Sequence, residues 1–155
     1  MAAPTAWRVY REFKEALAEK LVNLETDTIK VALFLSTSNA GDVALATAQY
    51  ATLTNEVGTT NTGYTTGGAA CANPSWTVSG ETATFDADDP AAWTAGSATL
   101  VHRFEVLYSD TATNKNLIAY CIADSTPADV TVTAGNTLTI SFNASGIFTL
   151  AGGET

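Results

Sequence analysis

Asp27-Thr28-Ile29-Lys30-Val31-Ala32-Leu33-Phe34-Leu35-Ser36 is where the chain changes its period. Ile29, Val31, Leu33 and Leu35 alternate with Lys30, Ala32, Phe34 and Ser36, the two-residue repeat of a strand. The second face is itself mostly apolar, so the segment is predicted to be a central strand rather than an edge.

Upstream the repeat is helical. Trp7, Tyr10, Phe13, Leu17, Leu21 and Leu24 recur at three- and four-residue steps, and Pro4 suits a first turn, where its missing N–H is no loss. This predicts an amphipathic helix over 4–24, with Arg8–Glu12 and Arg11–Glu15 spaced to pair on its polar face. Two readings of the apolar stripe fit: it packs on its own domain, or it docks on a neighbouring subunit. Under the second, Trp7, Tyr10, Phe13 and Leu17 are the candidate interface residues, because large aromatic side chains are the usual anchors of an interface.

Downstream, Ser38-Asn39-Ala40-Gly41-Asp42 breaks the strand, and 43–53 reads either as a short helix of one or two turns or as irregular structure, the helical turns being favoured. From Thr54 onward short Thr- and Val-rich segments alternate with turn residues. Strands are predicted at 64–72, 75–79, 81–86, 98–108, 117–123, 129–133, 137–143 and 147–150, with Ser79-Gly80, Gly135-Asn136 and Ser145-Gly146 as turns. The expected class is all-β: a jelly-roll-like β-sandwich over 27–155, preceded by an N-terminal amphipathic helix or arm over 1–26.

A chain of 155 residues can bury a core as one domain without disulfide or metal support. Apolar residues make up 46% and charged ones only 15%, which predicts that much of the surface faces other protein. Residues 1–30 carry five basic and five acidic side chains, so the whole net charge of −9 arises in 31–155, where only Arg103 and Lys115 oppose eleven acids. Such a surface cannot neutralise phosphates, which argues against nucleic acid as a partner. No apolar run approaches a membrane span, and the first residues lack a secretory pattern, so folding in a cytoplasm and no membrane partner are expected. Cys71 and Cys121 lie far apart with no CxxC pair, and are expected to be buried free thiols rather than metal or redox ligands.

His102 is the only histidine. By strand alternation it shares a face with Leu100, Phe104, Val106 and Tyr108, with Arg103 and Glu105 opposite, and is read as a hydrogen-bonded core or interface residue. Asp86, Asp88 and Asp89 form the densest acidic cluster, read as a capped turn or a weak cation site. The EF-hand pattern fails there, with Pro90, Ala91 and Ser97 at its fifth, sixth and twelfth positions. The glycines of Gly63-Tyr64-Thr65-Thr66-Gly67-Gly68 lack phosphate-loop spacing, and no GxSxG elbow, HExxH run or Cys–His pair is found. No catalytic residue, metal or cofactor is therefore expected, and an enzyme would need an unrecognised carboxylate pair such as Asp86 and Asp88.

Several stretches, in order, resemble a family of small virion structural proteins of tailed bacteriophages. They are the N-terminal amphipathic segment, Asp27-Thr28-Ile29-Lys30-Val31-Ala32-Leu33, Leu53-Thr54-Asn55-Glu56-Val57 running into Gly63-Tyr64-Thr65-Thr66-Gly67-Gly68, Phe85-Asp86-Ala87-Asp88-Asp89, Arg103-Phe104-Glu105-Val106-Leu107-Tyr108, Leu117-Ile118-Ala119-Tyr120 and Asn143-Ala144-Ser145-Gly146-Ile147-Phe148-Thr149-Leu150. The stretch 69–76 departs from the pattern as if inserted. The resemblance implies a non-enzymatic decoration or cement protein on the outer surface of the phage head, bound to the major capsid protein and to itself as a homodimer or homotrimer. The alternative within this resemblance is a tail or fibre protein binding a host-surface glycan or receptor, for which Trp76 and Trp93 exposed on neighbouring loops would serve as stacking platforms.

Overall fold

In the computed structural model, which describes residues 3–126 and 128–152, the chain is all-β with a single α-helix. In order the elements are β1 (Arg8–Val9), α1 (Arg11–Ala18), β2 (Ile29–Phe34), β3 (Ala69–Ala70), β4 (Ser75–Ser79), β5 (Thr82–Asp86), β6 (Trp93–Thr94), β7 (Leu100–His102), β8 (Phe104–Ser109), β9 (Leu117–Ile122), β10 (Val130–Val132), β11 (Thr137–Leu138) and β12 (Phe148–Ala151). One 3-10 turn, Asn39–Gly41, lies in the predicted break after β2, and a second, Tyr50–Thr52, falls within 43–53.

The stretch that changes period forms β2, and it lies inside an antiparallel five-stranded sheet of order β1-β9-β8-β2-β3. β2 pairs with β8 from Ile29↔Ser109 to Phe34↔Phe104. Both of its faces are buried, as are those of β8 from Glu105 to Ser109, which is why neither shows a polar face in the sequence. The remaining strands form a three-stranded sheet, β12-β5-β4, and the pairs β10-β7 and β11-β6. Gly80 and Glu81 make the two-residue turn between β4 and β5, with Ser79 opposite Thr82, as the Ser79-Gly80 signal predicted.

The N-terminal segment departs from the predicted helix. Arg8 and Val9 are extended and pair with Tyr120 and Ala119 on the edge of β9, and α1 begins only at Arg11. An open sheet edge offers backbone hydrogen bonds that the first residues of a short helix lack, so the tertiary contact overrides the helical pattern. The other end closes in a Schellman arrangement: Lys20 adopts φ 59°, and the N–H groups of Lys20 and Leu21 donate to Leu17 and Ala16 carbonyls at 3.2 and 2.9 Å. A lysine where glycine is usual gave no sequence signal for this stop.

α1 connects the two larger sheets. Tyr10, at its start, packs on Tyr120 of β9, and Phe13 meets Phe148 of β12 edge-on with ring centres 6.0 Å apart. These contacts belong to one continuous core that also takes in Phe34, Phe85, Trp93 and Tyr108. No helix among the described residues is long and apolar enough to cross a membrane.

Candidate functional site

The aromatic stripe falls largely inside the protein. Tyr10 and Phe13 are fully buried, and the Tyr10 hydroxyl donates to the Ala40 carbonyl at 2.5 Å. Neither can anchor a partner without leaving the core, so both are core residues rather than the interface anchors expected, and the stripe packs on its own domain at these positions. Trp7 and Leu17 are half-buried: Trp7 lies edge-on to Phe142, and Leu17 borders a shallow groove with Trp76 and Val22.

Two large apolar side chains among the described residues reach solvent. Val78 of β4 is 69% exposed and Leu21, just past α1, 47%; half-buried Leu17 and Trp76 border one groove, and Leu21 borders another with Asp27 and Thr111. The arrangement follows from sheet periodicity. Trp76 and Val78 lie on one face of β4, and their cross-strand neighbours on that face are Phe85 and Ala83, then Phe148 and Leu150. α1 covers the end with Phe148, while Val78 at the hairpin end stands uncovered.

A second cluster was not legible in the sequence. His102 Nε2 lies 3.3 Å from Glu105 Oε1, and the Cys121 thiol donates to Glu105 Oε2 at 3.2 Å, with all three residues buried. Strict alternation would place His102 and Glu105 on opposite faces. The strand run breaks at Arg103, however, where β7 pairs with β10 while β8 pairs with β2 and β9. That break reverses the parity and turns both side chains the same way. It also sends Arg103 to Asp129 at 2.7 Å, rather than to Glu105. Burial first, and then the Glu105 carboxylate, hold the Cys121 thiol well above its ordinary range, so it stays protonated as a donor and is a poor nucleophile.

His102 Nδ1 has no partner among the described residues. The cluster forms the floor of a cavity of about 260 Å³ walled by Pro4, Trp7, Val130, Leu138 and Ile140. The geometry suits a buried polar tie between β7, β8 and β9. The Cys121 thiol, held protonated, is a poor nucleophile, and both oxygens of the Glu105 carboxylate are engaged.

Glu56 forms a third cluster. Its Oε1 accepts from the Tyr64 hydroxyl at 2.6 Å and the Gly67 N–H at 2.7 Å, and its Oε2 accepts from Tyr50 at 2.5 Å. Tyr64 Oη in turn accepts from the Leu33 N–H, and Tyr108 donates to the Gly67 carbonyl. The segments 53–57 and 63–68, adjacent in the motif that carries the phage resemblance, are thus bolted together onto β2 and β8.

The acidic cluster is tied to its own turn and to two distant segments. Asp86 accepts from the Ala87 N–H, Asp88 from Asn73, and Asp89 from the Phe142 N–H at 2.7 Å. No group of three His, Cys, Asp or Glu among the described residues is placed to hold a metal ion. Cys71 and Cys121 are free and buried, and burial with Asp89 nearby pushes the Cys71 thiol up to about 12. Trp93 is buried against Tyr64 and Trp76 half-buried against Phe148, so the two do not form an exposed aromatic pair. Comparison with protein-family models, curated proteins and solved structures finds no match to this chain.

Proposed function

We propose that the protein is a structural component of a tailed-phage particle, a jelly-roll-like module that binds the outer surface of the head and ties neighbouring capsomers together. Its partners in this reading are the major capsid protein and further copies of itself. The observation that carries the proposal is the apolar face of β4, where Val78 is exposed beside half-buried Trp76 and Trp76 shares a groove with half-buried Leu17. Uncovered apolar surface of this kind is a mark of protein contact. It lies near the one segment of chain whose charges cancel, so an acidic molecule can present it without a field of its own sign. The ordered motifs supply the assignment to phage particles.

The mechanism is mass action. A protein that binds the assembled shell and not its separated subunits draws the equilibrium towards the shell, and many modest contacts summed over a lattice resist the pressure of packaged DNA. The test adds purified protein to mature heads that lack it and follows binding and release of DNA on heating or osmotic shock. Saturable binding with a raised release temperature is expected. Binding to tail tips or host cells but never to heads overturns the reading in favour of receptor recognition.

A further inference from the structure

The outer edge of β4 is open. β4 ends the three-stranded sheet, Thr77, Val78 and Ser79 are exposed, and no backbone hydrogen bond outside the hairpin reaches Trp76, Thr77 or Val78 among the described residues. Parity fixes which groups point outward. The two-residue turn closes on Ser79 and Thr82, so Ser79, Thr77 and Ser75 direct their N–H and C=O groups towards β5. Those of Trp76 and Val78 therefore face away from the sheet.

Edges of this kind are commonly guarded by lysine, proline or a bulge. β4 has none, and no Asp, Glu, Lys or Arg occurs from Val57 to Gly80. The strand, Ser75-Trp76-Thr77-Val78-Ser79, is also nearly symmetric about Thr77. Turned on itself antiparallel, it opposes Trp76 to Val78 of the second copy, and both outward-facing pairs find partners. Centring the axis on Trp76 would instead oppose Val78 to Pro74, which has no N–H, and centring it on Val78 would oppose Trp76 to Gly80 in the turn.

We infer that two copies of this chain associate through β4, joining their three-stranded sheets into one six-stranded sheet across a two-fold axis at Thr77. A molecule of net charge −9 repels its copy over most of its surface, and this uncharged edge is where the two can meet without opposing carboxylates. The two-fold axis stands perpendicular to the sheet, so the Trp76–Val78 faces of both copies lie on the same side and double the uncovered apolar surface. The inference is independent of what that surface binds. The interface is small, which predicts weak, concentration-dependent pairing.

The test is sedimentation of the full chain over a concentration series, together with cysteine cross-linking. In the dimer Thr77 faces its own counterpart in a non-hydrogen-bonded pair, with Cα atoms about 4.5 Å apart, within disulfide reach. Thr77→Cys is expected to give a covalent dimer under a mild oxidant such as oxidised glutathione. Ser79→Cys should not, because two Ser79 positions stand roughly 13 Å apart along the strands. Val78→Lys is expected to yield monomer with unchanged circular dichroism and melting temperature. Thr149→Lys on β12, the other edge of the same sheet, should leave the dimer intact. A strict monomer at the highest concentration, equal cross-linking of the Ser79 variant, or equal disruption by Thr149→Lys overturns the proposal.

Discussion

Phe13→Ala separates a core stripe from a docking stripe. Phe13 is fully buried and meets Phe148 edge-on. A buried aromatic side chain removes about 150–200 Å² from water, which at about 25 cal/mol per Å² is worth about 4–5 kcal/mol, and the ring pair adds about 1 kcal/mol. The alanine keeps Cβ, and the site relaxes in part, so a loss of about 3–5 kcal/mol is expected. For a domain of this size that lowers the melting temperature by roughly 10 °C. The same substitution at a solvent-facing docking residue would change stability by about 0.5 kcal/mol or less.

Urea unfolding monitored by tryptophan fluorescence and by far-ultraviolet dichroism measures the difference directly, with Leu21→Ala as the exposed comparison. If Phe13→Ala stays within about 1 kcal/mol of the parent while Leu21→Ala does not, then α1 does not pack where the core requires it, and the docking reading of the whole stripe returns.

Three further outcomes are expected. Glu56→Ala leaves the Tyr50 and Tyr64 hydroxyls and the Gly67 N–H without their acceptor, and should cost roughly 2–4 kcal/mol in urea unfolding and make the 56–68 segment more susceptible to limited proteolysis. Gly68→Ala should be among the most damaging small substitutions by thermal melting, because Gly68 has φ 72° and an added Cβ would fall 1.7 Å from the Val31 carbonyl oxygen on β2. Alkali should unfold the protein: burial raises Tyr10 and Tyr64 above 10.0 and Cys71 from 9.0 to about 12. The unfolded chain therefore releases these protons first, so their contribution is complete below pH 9 and falls as pH rises through the folded values, which a urea midpoint measured against pH will show.

What the sequence made legible was local. The period change at Asp27 placed β2, the Ser79-Gly80 turn set the β4–β5 register, and the two cysteines, with no CxxC pair, are buried free thiols as expected. What it hid was decided by contacts between distant segments. Trp7 to Leu24 fits a helical repeat, yet Arg8 and Val9 are claimed by the edge of β9, and a lysine in the left-handed region ends α1 early. Nothing around Glu56 shows that three donors converge on it, since two lie eight and eleven residues away and the third precedes it by six.

The His102 cluster shows how one irregular residue redirects a reading based on alternation. With Arg103 continuing the strand, His102 would share a face with Phe104, and Glu105 would lie across the sheet from it. The break at Arg103 lets β7 leave for β10 while β8 stays between β2 and β9, and the imidazole and carboxylate then meet at 3.3 Å. A carboxylate in such a position needs donors on both oxygens, which His102 supplies from β7 and Cys121 from β9. The three polar residues that lie apart in the sequence therefore hold together the point where the chain changes sheets.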